Sequence, residues 1–223
     1  MSLVITVLEI IGVFSFSVSG ALMAIDKEND FVGVVFLAII TSFGGGMLRD
    51  LFIGNTPPVF FSLYKLIIVS VLTATVTYFL AMIFKRQYVQ NEAFVQSINN
   101  YFDALGLGVF VISGAEICIE RGIDNPLLII VMGMLSGTGG SMTRDIIMNE
   151  VPALLRRHIY LLAALAGAGC YYLLCYFEVQ GVVAVTVSAS LIVAIRILAT
   201  IFKWNLPKAI DFTKISKDID SNP

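Results

Sequence analysis

Thr41-Ser42-Phe43-Gly44-Gly45-Gly46-Met47-Leu48-Arg49-Asp50 returns as Ser136-Gly137-Thr138-Gly139-Gly140-Ser141-Met142-Thr143-Arg144-Asp145, at an offset of 95. Upstream, Glu9, Phe16 and Ser19-Gly20-Ala21 return as Asp103, Phe110 and Ser113-Gly114-Ala115 at an offset of 94, and downstream Pro57 matches Pro152. One residue of loop slippage accounts for the difference. Each copy holds three apolar spans, an odd number, so the second copy must enter a membrane from the opposite side. That is an inverted-topology repeat, the architecture of a transport path.

Composition places the chain in a membrane independently of the repeat. It is 58% hydrophobic and 13% charged, with a mean hydropathy of +0.90, too apolar for one water-soluble core of 223 residues. Apolar runs of the length a hydrocarbon core demands fall near 4–25, 32–53, 60–84, 102–119, 126–148, 159–177 and 181–202. The expected fold is therefore an all-α membrane protein of seven transmembrane helices: a three-helix repeat over 1–86, its inverted copy over 98–178, a seventh helix over 179–203 and a polar cytoplasmic tail over 204–223. The N-terminal segment lacks the positive start of a secretory signal and carries Glu9 instead, so it reads as a retained span.

Lys and Arg predict the orientation. With the N-terminus outside, the cytoplasmic side receives Lys27, Lys85, Arg86, Arg156, Arg157, Lys203, Lys208, Lys214 and Lys217, and the outside receives mainly Lys65 and Arg121, which favours N-out, C-in. Arg196 then lies in the inner turns of the last span, from where its side chain is expected to snorkel to the interface. Cys118, Cys170 and Cys175 have no metal-ligand spacing and read as packing residues. The net charge of −2 says nothing about partners. No nucleic-acid partner, cofactor or resident metal is expected.

Gly44, Gly45 and Gly46, and Gly139 and Gly140 with Ser141, sit at the middle of their spans. Gly there costs about 1 kcal/mol of helix propensity relative to Ala. One reading is close packing of small-residue faces. The other is that both helices bend or unwind near the midplane, leaving carbonyls and amides to meet a transient monovalent cation or a polar solute, since irregular backbone at this depth survives only where it is buried or lines water. The charges that follow, Arg49-Asp50 and Arg144-Asp145, are i,i+1 neighbours pointing about 100° apart on a helix, so each is expected to need another partner. Depth suggests Glu9 for Arg49 and Asp103 for Arg144, one bridge built twice. These charges read either as a stabilising network or as the lining of two vestibules. Ser17, Ser19, Ser42, Ser113, Thr41, Ser136 and Thr138 add hydroxyls near the path.

Catalytic readings fare poorly. The single His158 follows Arg156 and Arg157 at a span start, no base accompanies Ser19-Gly20 or Ser113-Gly114, and nucleotide and metalloprotease motifs are absent from the sequence, so no enzyme is expected.

The stretch Gly-Gly-Gly-Met-Leu-Arg-Asp-Leu-Phe-Ile-Gly-Asn-Thr-Pro-Pro-Val-Phe-Phe at 44–61, echoed at 139–155, resembles the bacterial UPF0126 family of duplicated three-span units, which is similar to the trimeric intracellular cation (TRIC) channels. The resemblance runs to about residue 203. It implies a homotrimer in the bacterial inner membrane, embedded in lipid, with one pore per protomer between kinked second and fifth helices and with potassium-like monovalent cations permeating. The kink positions it implies are Gly44, Gly45, Gly46, Gly139 and Gly140, with Ser141 in place of the third glycine. The lysine that follows the glycines in animal TRIC channels is replaced here by Met47-Leu48-Arg49-Asp50 and Met142-Thr143-Arg144-Asp145. The same family carries a glycine-transporter label. A secondary transporter for glycine or another small neutral solute is thus the alternative function, and a purely structural membrane module is a third.

Overall fold

The structure, a computed structural model, describes residues 3–62, 64–156 and 158–204. The expected tail from 205 onward, with Lys208, Lys214 and Lys217, and Arg157 lie outside the described residues. Every regular element among the described residues is helical: α1 (Leu3–Asp26), α2 (Phe31–Phe52), α3 (Tyr64–Ile83), α4 (Lys85–Gln90), α5 (Glu92–Glu120), α6 (Pro126–Ile147), α7 (Ala153–Arg156), α8 (His158–Tyr176) and α9 (Gly181–Ile201), with a 3-10 turn at Val59–Ser62. Seven of these, α1, α2, α3, α5, α6, α8 and α9, are long and apolar enough to span a bilayer. The fifth element starts ten residues before the span expected from hydropathy, because the polar run Glu92–Asn100 continues the helix. Its 29 residues make a rod of about 43 Å, longer than the hydrocarbon core of about 30 Å.

The repeat is visible in the caps. The side chain of Asp30 accepts from Gly33 N at the start of α2, and Asn125 accepts from Leu128 N at the start of α6, where Pro126 also fits the first turn. Beyond the two helices the chain reverses through positive φ at Gly54 (69°) and Asn149 (54°), the residue types that tolerate that conformation.

Four helices make the centre: α1 packs on α2 and α5, α6 packs on α5 and α2, and α3 and α8 flank the two copies. Gly12 of α1 lies against Val109 and Phe110, while its counterpart Gly106 on α5 lies against the ring of Phe16. The Phe16 and Phe110 rings stack at 5.3 Å between centroids. Each copy thus offers the same small-and-aromatic pair to the other, as a two-fold axis requires. Where lipid tails are as apolar as the side chains, such shape fit and dispersion are what hold helices together. The seventh spanning helix, α9, packs on α5 and α8 and enlarges the core of the second copy only, through Ala184, Val185, Ala189 and Ile192.

Candidate functional site

At the centre of the bundle α2 and α6 cross at their glycines. A Cβ on Gly44 would stand 3.4 Å from Gly140 Cα, and one on Gly139 would stand 2.9 Å from Gly45 Cα. A Cβ on Gly45 would run into the carbonyl oxygen of Ser136, and one on Gly140 into that of Thr41. Thr41 and Ser136 are themselves equivalent positions, so the seam is two-fold. Both helices remain α-helical through these residues. Of the two readings, close packing of small-residue faces accounts for this contact: the helices do not unwind here, and the missing side chains let two helical backbones touch. Gly46 is different: a Cβ there would meet only Arg49 Nη2 at 3.7 Å. Its counterpart is Ser141, whose hydroxyl donates to Thr138 O and pairs with Tyr160 Oη, each at 3.0 Å.

The Arg-Asp pairs correct a second expectation. Arg49 Nε and Nη2 both donate to Asp50 Oδ1, at 3.0 and 2.8 Å, and Arg144 does the same to Asp145 at 2.9 and 2.8 Å. Two Cβ vectors 100° apart do not prevent this, since the long Arg side chain curls back until its guanidinium meets the short carboxylate. The other carboxylate oxygens, Asp50 Oδ2 and Asp145 Oδ2, accept from the backbone N–H of Val59 and Ala153. Each aspartate therefore ties its arginine to the chain entering the next element.

The remaining guanidinium nitrogens reach across the bundle. Arg49 Nη1 donates to Ser136 Oγ at 3.1 Å, and Arg144 Nη1 donates to Ser19 Oγ at 2.8 Å. Of the two expected bridges, Asp103 stands 3.8 Å from Arg144. Glu9 forms no ion pair with Arg49, although both line the same small cavity. Arg196 departs from expectation as well. Rather than snorkelling it is 2% exposed, 3.7 Å from Asp103, with its guanidinium carbon 4.3 Å from the Tyr160 ring centre. Tyr160 carried no sequence signal. Arg196 did, as an arginine inside an otherwise apolar span.

A cavity opens on each side of the seam, and the two share no lining residue. The larger, about 890 Å³, lies at the end where α1 finishes and α5 begins, and includes Asp26, Asn29, Asn99, Asp145 and Glu150. The smaller, about 50 Å³, lies where α2 finishes, and includes Glu9, Ser42, Gly46, Arg49 and Ser136. Arg49 stands directly at the small cavity. Arg144 is linked to the large one through Ser19, whose hydroxyl donates to Asn99 Oδ1 at 2.6 Å. The seam is thus bracketed by two arginines, each hydrogen-bonded across to the opposite copy.

The profile of the family described as "Glycine transporter" matches residues 6–82 and 100–176, once for each copy. The chain belongs to this family, UPF0126. A UPF0126 membrane protein of Deinococcus radiodurans is 40% identical over 75% of this chain and 74% of its own length. The UPF0126 inner membrane protein YadS of Escherichia coli (strain K12) is 28% identical over 89% and 92%. Among solved structures, the TRIC trimeric intracellular cation channel orthologue from Rhodobacter sphaeroides superposes with a TM-score of 0.81 at 32% identity, covering 91% of this chain and all of that one. A prokaryotic TRIC channel in 0.5 M KCl gives 0.82 at 30%, covering 92% of this chain and all of that one. Such a UPF0126 chain with seven apolar helices is a multi-pass protein of the plasma membrane.

Proposed function

We propose that this UPF0126 protein is a cation channel whose path runs from one cavity to the other through the α2–α6 seam. What carries the reading is the seam itself, two intact helices in backbone contact with a cavity and a cross-bundle arginine on each side. Likeness to the TRIC structures over nine tenths of the chain supports it. Conduction requires the two helices to part at the glycines. The carbonyls of Thr41 and Ser136, which face the opposing glycines, would then border the gap. A helical carbonyl keeps a second lone pair after its intrahelical bond, which suits weak, multi-site coordination of a monovalent cation such as potassium.

Three further elements belong to this reading. A homotrimer with one path per protomer follows the trimeric channels that the chain resembles. The N-out, C-in orientation is supported by Lys27, Lys85, Arg86 and Lys203, which end or follow helices at the large-cavity end, against Lys65 and Arg121 at the other. Gly44, Gly45, Gly139 and Gly140 form the constriction, and Arg49, Asp50, Arg144 and Asp145 secure it, with Glu9 lining the cavity at Arg49 and Asp103 beside Arg144. Planar-bilayer recording of the purified protein under a potassium chloride gradient tests the proposal. Unitary currents reversing toward the potassium equilibrium potential are expected without any organic solute. Silent bilayers together with glycine counterflow in liposomes would replace the channel with the transporter that the family description names.

A further inference from the structure

We propose that Arg196 of α9 is a positioning residue for the seam, clamping the α6 side shut so that opening is led by α2. The inference rests on the channel reading above.

Arg196 holds α6 by two routes. Through Asp103 of α5, 3.7 Å away, it reaches Arg144, 3.8 Å beyond, which donates to Ser19 of α1. Through the face of Tyr160 on α8 it reaches the Tyr160 hydroxyl bound to Ser141, the residue after Gly140. The two routes grip α6 immediately after its seam glycines, at Ser141, and one turn after them, at Arg144. The contacts are ionic and cation–π rather than hydrogen-bonded, and Arg196 Nε and Asp103 Oδ1 have no hydrogen-bond partner among the described residues, so what holds the group together is the cost of leaving any one of these buried charges without its counter-charge. The group balances charge: Arg144 and Arg196 offset Asp103 and Asp145, all at least 94% buried.

The first copy is built without this clamp. A three-helix repeat has no counterpart of α9, and Glu9, the counterpart of Asp103, is not ion-paired with Arg49. Arg49 is held by its neighbour Asp50 and by one hydroxyl, Ser136 Oγ, at the edge of a cavity. Two halves with one sequence pattern thus differ in restraint. The less restrained one yields first.

Recording of R196M, D103N/R196M and Y160F beside the wild type, each with its thermal unfolding in detergent, tests the clamp. R196M is expected to raise the ratio of open to closed dwell time by at least about fivefold, the lower end of usual coupling between sites. Unitary conductance should not change, since Arg196 lines neither cavity. D103N/R196M restores charge balance, so it should regain folded yield and melting temperature while keeping the raised open probability. Y160F should give a smaller change of the same sign. Wild-type open probability in R196M, or its return to wild type in the double variant, would overturn the clamp. If R196M does not fold, the neutral double variant carries the test. Absence of wild-type current would remove the channel reading itself, a different failure from a conducting protein indifferent to Arg196.

Discussion

Alanine at Gly45 and alanine at Gly46 should act in opposite directions, although the two residues are adjacent in one helix. At Gly45 the added methyl meets the Ser136 carbonyl, a backbone atom that cannot rotate away. The scale of the displacement follows from the carbon of that carbonyl, which a Cβ on Gly45 would meet at 2.9 Å, as one on Gly140 would meet the Thr41 carbonyl carbon. Ordinary carbon contacts lie at about 3.5–4.0 Å, so the helices must part by roughly 0.6–1.1 Å. Overpacking of that kind costs about 1–3 kcal/mol, against which the better helix propensity of Ala returns up to about 1 kcal/mol. The net is a loss of about 1 kcal/mol for G45A, and G140A should match it by symmetry. At Gly46 no clash opposes the propensity gain, and the second copy already carries the larger Ser141 there. G46A should gain up to about 1 kcal/mol. For a chain of this length each kcal/mol moves the melting temperature by about 2–4 °C, so G46A should melt roughly 4–8 °C above G45A in detergent. Melting temperatures within about 1 °C of each other would refute the claim that the seam, and not the glycine triplet as such, sets these positions.

D103N should cost about 3 kcal/mol, the lower end for removing one partner of a buried ionic group, because its contacts are longer than hydrogen bonds; an unchanged melting temperature would show that Arg144 and Arg196 do not need it. Because Glu9 shares a cavity with Arg49 but forms no ion pair with it, the coupling between E9Q and R49Q in a double-mutant cycle should be smaller than that between D103N and R144Q, and an equal or larger coupling would restore the outer bridge. The Lys27–Glu150 bridge joins side chains 41% and 30% exposed, so K27A should cost less than about 1 kcal/mol; a larger loss would mean that this bridge holds the copies together. Tyr88, outside the spanning segments, is raised above the ordinary phenol range by burial and by its hydrogen bond to Asp26. Its contribution should be complete below about pH 10 and decline as pH rises from there toward the higher folded value; Y88F should remove that alkaline decline, and an identical decline in both proteins would assign it elsewhere.

The two copies, the seven spans and the facing of Gly44 and Gly45 on Gly139 and Gly140 were legible in the sequence. An odd number of spans per copy forces inversion, and inversion brings equivalent midspan residues to one depth. The pairing of Asp103 with Arg144 was legible for the same reason, since depth follows from residue count along a helix. What sequence could not supply is direction around the helix axis and the distance between neighbouring helices. Arg49 and Arg144 turn back onto the adjacent aspartates while their remaining nitrogens donate to Ser136 and Ser19 across the bundle, an arrangement that depends on which helix faces meet. Arg196 turns inward because α9 packs on α5 with that face, toward Asp103 and Tyr160, instead of toward the bilayer. The glycines stay helical because the partner backbone lies within contact of them, and that packing gain, invisible to local propensity, decides between an unwound helix and a sealed one.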